Sequence, residues 1–181
     1  NTQIIRKEPL LQSSIHDPNL TLNVETTAKN EKILQKIEQD TTPLNELGSI
    51  TRGVEAGKKS ELITDIPNAY PLLFGEDVNK YTIKTRNHWI KFSIKDQTNF
   101  KEESLYKQPK KILIRRVGKE IIATIDFNKR VTLNTLYILK LKDHSLIEEI
   151  CALLNSKTIR FWFKNRYVLT EKLFPYIEFH N

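Results

Sequence analysis

The stretch KQPKKILIRRVGKEIIATID, Lys107–Asp126, contains two apolar segments, Ile112–Ile114 and Ile121–Ala123, joined by a charged connection. Successive side chains of a strand point to opposite faces of a sheet, so the first segment is apolar on both faces. We therefore predict a hairpin whose first strand lies inside a sheet. Six Lys or Arg side chains occur within the first thirteen residues of the stretch, and two carboxylates follow. A core hairpin does not require this charge, which indicates an anionic partner.

The composition supports the same interpretation. The chain has 181 residues, with 29 Lys and Arg against 22 Asp and Glu, for a formal net charge of +7. Its length suits one domain with an appended segment. The excess of positive charge lies in residues 48–181, because residues 1–47 contain more acidic than basic side chains. A basic surface favours polyanionic partners, but it does not distinguish among them.

Cysteine content and hydropathy restrict the class of protein. The single cysteine, Cys151, excludes an intramolecular disulfide and a cysteine-rich zinc site. The apolar runs are too short to span a membrane, and no signal peptide is present. We therefore predict a cytoplasmic protein. The chain begins at Asn1 and contains no Met, so we expect it to be part of a longer protein.

The order of predicted elements indicates the fold class. A helix is predicted from a Thr27 cap to about Gln39, because Pro43 cannot continue it. Short strands follow, including one over residues 131–141. A last helix is predicted from a capping box at Ser145–Glu148, with a kink at Asn155–Ser156. This order predicts an α+β fold, with a twisted, mainly antiparallel multi-stranded sheet and flanking helices.

No catalytic or metal site is predicted. No Asp or Glu is followed by Lys at the second position, the spacing that many metal-dependent nucleases use, and the four histidines are scattered. No Gly-x-Ser-x-Gly motif occurs. Cys151 falls on the apolar face of the last helix, where a buried and inert thiol is expected.

The segment GVEAGKKSE, Gly53–Glu61, is a candidate phosphate-binding loop. It has three residues between its glycines where a Walker loop has four, so we do not predict a nucleotide site. Glycine leaves the backbone uncovered, which would let the loop and its two lysines, Lys58 and Lys59, approach a phosphate. The alternative is an ordinary flexible turn.

The charged end of the hairpin is the second candidate. Arg115 and Arg116 fall at the end of the first strand, beside the predicted Val117–Gly118 turn, and Lys119 follows. Arginine can donate two hydrogen bonds to guanine in the major groove, and lysine can neutralise phosphate. The alternative is a solvated hairpin end. Lys129–Arg130 also falls in a predicted loop, so several cationic loops could share one anionic surface.

Six segments in order resemble a known family. They are ILQKIEQDTTPLNELGSITRGVEAGK, YPLLFGEDVNKY, WIKF, YKQPKKILIRRVGKEIIATID, TLNTLYIL and ICALLNSKTIRFWF. Together they resemble the C-terminal target-recognition (specificity) domain of TaqI-like adenine-N6 DNA methyltransferases, a family that includes fused restriction–modification enzymes. The resemblance runs from Lys29 to Phe174. Ala56 is a departure, because the family often has Thr before the second glycine of the loop.

The resemblance implies how the parent enzyme divides its work. Residues 1–46 would be a connecting and docking segment with one helix, and residues 47–181 a recognition domain for double-stranded DNA without catalysis. A separate Rossmann-like domain of the same parent chain would bind S-adenosylmethionine and carry an Asn-Pro-Pro-Tyr motif, which this chain lacks. That domain would methylate adenine, with or without an endonuclease activity in the parent. No membrane partner and a monomer are expected.

The resemblance and the charge pattern together suggest roles for particular residues. Contacts with base edges, or close to them, are predicted for Arg115, Arg116 and Lys119. Phosphate contacts are predicted for Lys58, Lys59, Lys110 and Lys111. Asn134 would contact a base edge or serve as a turn residue. Other classes that the sequence leaves open are an RNA-binding or ribosome-associated module, a standalone nuclease and a protein–protein interaction domain.

Overall fold

The computed structural model describes residues 27–57, 60–68, 70–91 and 103–167. The helices are α1 (Ala28–Glu38), α2 (Leu44–Leu47), α3 (Glu103–Tyr106), α4 (Ile147–Leu154) and α5 (Lys157–Tyr167). The strands are β1 (Gly48–Arg52), β2 (Ile63–Thr64), β3 (Leu72–Leu73), β4 (Val78–Asn79), β5 (Thr82–Ile83), β6 (Trp89–Ile90), β7 (Lys111–Arg115), β8 (Ala123–Asp126), β9 (Val131–Thr132) and β10 (Leu136–Leu141).

A four-stranded antiparallel sheet in the order β1-β10-β7-β8 forms the centre of the fold. Three short pairs pack on one of its faces: β2 with β6 and β4 with β5 are antiparallel, whereas β3 with β9 is parallel. The predicted α+β fold with a mainly antiparallel sheet and flanking helices is confirmed. The hairpin of the quoted stretch is also present as β7 and β8, and β7 lies inside the sheet as predicted. The second strand differs from its predicted place, because β8 begins at Ala123 and leaves Ile121 and Ile122 in the connection.

The central sheet separates two apolar clusters, because side chains of β7 alternate between its faces. Leu113 and Ile138 pack on one side with residues of the short strand pairs, such as Leu72. Ile112 and Ile114 pack on the other side against α4 and α5. Leu113, Ile112 and Ile114 are each 0% exposed. The sheet is therefore held from both faces, which makes its ends rigid supports for the loops that leave it.

Helix α1 agrees closely with its predicted bounds. The Thr27 hydroxyl accepts a hydrogen bond from the Asn30 amide at 3.2 Å, as an N-cap residue does. The helix docks on α5 through Arg166, whose guanidinium donates to Glu31 at 3.0 and 3.1 Å and to Glu38 at 2.7 Å. The division of the chain at residues 46 and 47 stays a prediction.

The start of the last helix differs from its prediction. The capping box at Ser145–Glu148 is wrong, because the Ser145 hydroxyl donates to the Asp143 carboxylate at 2.7 Å and does not cap the helix. Asp143 caps a single 3₁₀ turn, His144–Leu146, that leads into α4. The predicted kink at Asn155–Ser156 is a break between α4 and α5. There the Asn155 amide hydrogen-bonds both the backbone N–H and the C=O of Ala123, at 3.0 and 2.9 Å.

The predicted single strand over residues 131–141 is also wrong. A turn at 133–135 divides it into β9, which pairs with β3, and β10, which pairs with β1 and β7. One straight strand could not serve both sheets, so the chain turns between them. Within the described residues, no helix is both long and apolar enough to cross a membrane.

Candidate nucleic-acid interface

One end of the central sheet brings basic residues together from distant parts of the chain. β1 ends at Arg52 and β7 ends at Arg115, and both strands pair with the start of β10. Arg52 lies opposite Tyr137, and Arg115 lies opposite Leu136. The loops beyond these strand ends carry further polar groups. We call this region the strand-end surface, and its members are Arg52, Arg115, Arg116, Lys119 and Asn134.

Thr135 connects the loops of the strand-end surface. Its carbonyl accepts the Arg116 amide at 3.0 Å, and its hydroxyl accepts the Gly75 amide at 2.9 Å. The neighbouring Asn134 amide donates to the Val54 carbonyl at 2.8 Å. Three loops and the β9–β10 turn are thereby held by hydrogen bonds to one another. The side chains of the surface consequently extend from a fixed backbone.

The strand-end surface carries positive charge that the fold does not neutralise. Arg52 and Lys119 are exposed, whereas Arg115, Arg116 and Asn134 are half-buried. Among the described residues, no carboxylate forms an ion pair with Arg52, Arg115 or Lys119. These three cations can therefore attract an external anion.

A second group of charges lies beside the strand-end surface. Glu120 accepts from the Lys80 ammonium at 2.9 Å, and the Arg160 guanidinium is 3.4 Å from the same carboxylate oxygen. The Lys80 ammonium holds the pKa of Glu120 below its ordinary value, so this carboxylate stays charged. One carboxylate between two cations leaves this group positive.

Three of these basic residues were missed at the sequence level. Arg52 has the same signal as Arg115, a basic residue at a strand end before a glycine or a turn, and could have been found. Lys80 and Arg160 approach Glu120 only in the folded chain, from a hairpin and from α5. No local pattern predicts that approach.

Lys110 lies away from the strand-end surface. It precedes β7, so about 16 Å of extended chain separates it from Arg115 at the other end of the strand. Its ammonium is 3.3 Å from Glu148 and 5.7 Å from the centre of the Phe127 ring. A phosphate contact by Lys110 stays a prediction, but Lys110 cannot act together with Arg115 and Arg116 at one point.

The predicted phosphate contact of Lys111 is wrong. Its side chain is 0% exposed, and its ammonium donates to the Asp126 carboxylate at 2.6 Å and to the Tyr106 carbonyl at 2.9 Å. Burial lowers the pKa of Lys111, and the Asp126 carboxylate opposes this change. Asp126 also forms an ion pair with Arg130 at 3.2 Å. The Lys111 side chain therefore stabilises the pairing of β7 with β8 and is not accessible to a phosphate.

The glycine loop leaves the sheet at the strand-end surface. A Cβ on Gly53 would lie 2.3 Å from the Thr132 carbonyl oxygen, whereas a Cβ on Gly57 would meet nothing within 4 Å. The loop is therefore packed tightly where it begins and is open at Gly57. The predicted phosphate-binding residues Lys58 and Lys59 lie outside the described residues, so their role stays a prediction.

The described residues hold no group of three or more His, Cys, Asp or Glu side chains that could bind a metal ion. Cys151 is 2% exposed, and burial raises the pKa of its thiol to about 11. Such a thiol is almost wholly protonated near neutral pH and is a poor nucleophile.

Burial of Cys151 gives a simple test of the helical layer. We expect native protein at pH 8 to react with a thiol-specific disulfide reagent at least about tenfold more slowly than protein in denaturant, because few molecules carry an accessible thiolate. Cys151 is the single cysteine of the chain, so all released chromophore comes from it. Equal rates in the two conditions would contradict the packing of α4.

A comparison with models of known protein families agrees with the resemblance found in the sequence. A family model described as the TaqI-like C-terminal specificity domain matches residues 70–180. This match covers more than half of the chain and leaves out the segment from residue 33 to residue 58. A search of curated proteins found no match.

Among solved structures, the chain is similar to the HsdS subunit from Thermoanaerobacter tengcongensis. The identity is 14% and the TM-score is 0.43, with 73% of this chain and 37% of that chain covered. The chain thus spans about a third of that subunit's length. Because the family model matches more than half of the chain, the chain belongs to the family of TaqI-like C-terminal specificity domains.

Proposed function

We propose that this chain is the domain of an adenine-specific DNA methyltransferase, or of a restriction–modification enzyme, that recognises the target sequence in double-stranded DNA and performs no catalysis. Its membership of a specificity-domain family supports the proposal. The observation that carries it is that Arg52, Arg115 and Lys119 lie at one end of the sheet and have no carboxylate partner among the described residues.

The dimensions of the strand-end surface suit a DNA groove. β1 and β7 lie on either side of β10, so the Cα atoms of Arg52 and Arg115 are about two strand spacings, roughly 10 Å, apart, and their side chains leave opposite faces of the sheet. The major groove is about 12 Å wide and admits a two-stranded ribbon. The hairpin loop after Arg115 can enter such a groove, while Arg52 and the exposed Lys119 are placed near its phosphate edges.

Arginine at the hairpin end would give sequence discrimination. The guanidinium can donate two hydrogen bonds to one guanine, and lysine acts mainly as a point charge near phosphate. Arg115 and Arg116 are half-buried, so fewer orientations are open to their side chains than to those of Arg52 and Lys119. We therefore assign base contacts to Arg115 and Arg116, phosphate contacts to Arg52 and Lys119, and a base contact to Asn134 on the neighbouring turn.

The remaining parts of the activity would come from a catalytic domain of the same parent chain. That domain would bind S-adenosylmethionine and transfer its methyl group to the adenine amino group. The proposed domain would supply the DNA site and keep the duplex in register during the reaction. A cytoplasmic location and a monomeric state are part of the same proposal.

Binding of the 181-residue chain to duplex DNA tests the proposal. Fluorescence anisotropy at about 50 and 200 mM salt should show affinity that falls steeply as salt rises, because each neutralised phosphate releases counterions. Replacing Arg115 or Arg116 by Ala should weaken binding to the preferred sequence by about 1–3 kcal/mol and reduce discrimination at one base pair. Lys119→Ala should weaken binding to all sequences alike and reduce the salt dependence.

Lys142→Ala is the matched control, because Lys142 is exposed and follows the opposite end of β10. It should change affinity far less than Arg115→Ala does. Equal losses in the two variants would mean that net charge governs binding and that the strand-end surface is not the site. Tighter binding to an RNA hairpin than to duplex DNA would favour the RNA-binding alternative and overturn the proposal.

A further inference from the structure

A tyrosine occupies an unusual backbone position next to the strand-end surface. β4 and β5 form a hairpin whose two-residue turn is Lys80–Tyr81. Tyr81 has a φ angle of +63°. At such a turn position glycine or asparagine is favoured, because a side chain with a Cβ is crowded when φ is positive. A bulky aromatic residue is unexpected there.

The fold gives no reason for the aromatic ring. The Tyr81 amide donates to the Ala123 carbonyl at 3.1 Å, but any residue other than proline could make this bond. The residue is 59% exposed. Within the described part of the chain, its ring takes part in no ring contact, and its hydroxyl forms no hydrogen bond. Glycine would adopt the positive φ angle of this turn with less crowding. A contact outside the fold would explain why a tyrosine is found there instead.

The surroundings of Tyr81 identify the class of partner. Ala123 is paired with Ile114, the residue before Arg115, so the hairpin is attached where β7 ends. The neighbouring Lys80 ammonium is fixed on Glu120, which Arg160 also approaches. An exposed aromatic ring therefore lies beside two groups of cations. An aromatic ring among cations suits a nucleic acid, which offers sugars and bases between its phosphates.

We infer that Tyr81 is a DNA-contacting residue, and that its ring packs against the sugar–phosphate backbone next to the bases that face the strand-end surface. The inference rests on the proposed function and adds the β4–β5 hairpin to the contact area. The ring would give apolar contact to the deoxyribose, and its hydroxyl could donate to a phosphate oxygen. Because the backbone is the same in all sequences, Tyr81 would contribute affinity without discrimination.

The test uses Tyr81→Gly in the 181-residue chain. Glycine adopts a positive φ angle without crowding, so the variant should unfold at the same denaturant concentration as the natural sequence or at a higher one. Its affinity for duplex DNA should nevertheless fall roughly tenfold, for every DNA sequence tested. Tyr81→Asn serves as a second variant, because asparagine also tolerates this backbone. Tyr81→Phe separates the ring from the hydroxyl.

The outcomes separate the two proposals. Unchanged affinity of both Tyr81→Gly and Tyr81→Asn, together with weaker binding by Arg115→Ala, would overturn the role of Tyr81 and leave the proposed function standing. Failure of the natural sequence to bind duplex DNA at low salt would overturn both. Weaker binding by the Tyr81 variants with undiminished stability would support the inference, because a purely structural role predicts the opposite pattern.

Discussion

Replacing Lys111 by Met should lower the free energy of unfolding by about 3 kcal/mol, the lower end of the cost of breaking a buried ion pair, because Asp126 keeps Arg130 as a partner. The Lys111 ammonium is the group that donates to the Asp126 carboxylate at 2.6 Å, and both side chains are 0% exposed. Methionine has a similar volume, so a cavity contributes little to the loss. Denaturant unfolding followed by circular dichroism measures the change.

Lys110→Met is the matched control for this prediction. Lys110 is the neighbouring residue, and its side chain is 45% exposed beside an exposed Glu148. Exposed ion pairs contribute about 0–1 kcal/mol, so the control should unfold almost like the natural sequence. A loss below about 1 kcal/mol for Lys111→Met would show that its charge is not buried in solution.

The Lys111 prediction also concerns the candidate site. Lys111 lies opposite Asp126 in the β7–β8 pair, so their ion pair favours one alignment of the two strands. The loop with Arg116 and Lys119 connects the same strands. We expect Lys111→Met to weaken DNA binding as well, by loosening that loop, even at a temperature where the variant remains folded.

Replacing Gly53 by Ala should lower the free energy of unfolding by about 3 kcal/mol, at the upper end of the usual range for overpacking. The new Cβ would lie 2.3 and 2.4 Å from the carbonyl oxygens of Thr132 and Leu133. These are backbone atoms held by hydrogen bonds, so relief of the overlap requires the end of β1 to move away from the β9–β10 turn. The temperature of thermal unfolding and the affinity for DNA should both fall, because Arg52 and Asn134 lie on the two segments that move apart.

Gly57→Ala provides the control for Gly53→Ala. It belongs to the same loop, and its Cβ would meet nothing within 4 Å. The free energy of unfolding of Gly57→Ala should stay within about 0.5 kcal/mol of the value for the natural sequence, as for most surface substitutions. If Gly53→Ala were equally harmless, the close approach of β1 to the β9–β10 turn would be wrong.

Much of the fold follows from local patterns in the sequence. The alternation of Ile112, Leu113 and Ile114, apolar on both faces, correctly predicts an interior strand. Thr27 correctly predicts the start of α1, because a cap acts over a few residues. The helix ends at Glu38, ahead of Asp40 with its φ of +54°, whereas Pro43 comes directly before α2. The pattern fails over residues 131–141, since a continuous apolar run does not reveal that its two halves pair with different sheets.

The proximity of the site residues was predictable only where they are neighbours in sequence. Arg115, Arg116 and Lys119 share one hairpin loop, so the pattern predicts their proximity. Arg52 and Asn134 join them because β1 and β7 pair with β10 on either side. Strand order in an antiparallel sheet depends on contacts between segments far apart in the chain, and single-sequence patterns do not encode those contacts.

The amino-acid sequence by itself determined the fold class, the interior position of β7, the excess of positive charge and the family of the chain. Tertiary structure alone decided which cations face outward. Lys110 and Lys111 are adjacent and chemically identical, yet one is exposed and the other is buried on Asp126, because a strand directs successive side chains to opposite faces. Packing across the whole sheet decides which of the two side chains is buried. It also places the Asp126 carboxylate opposite Lys111.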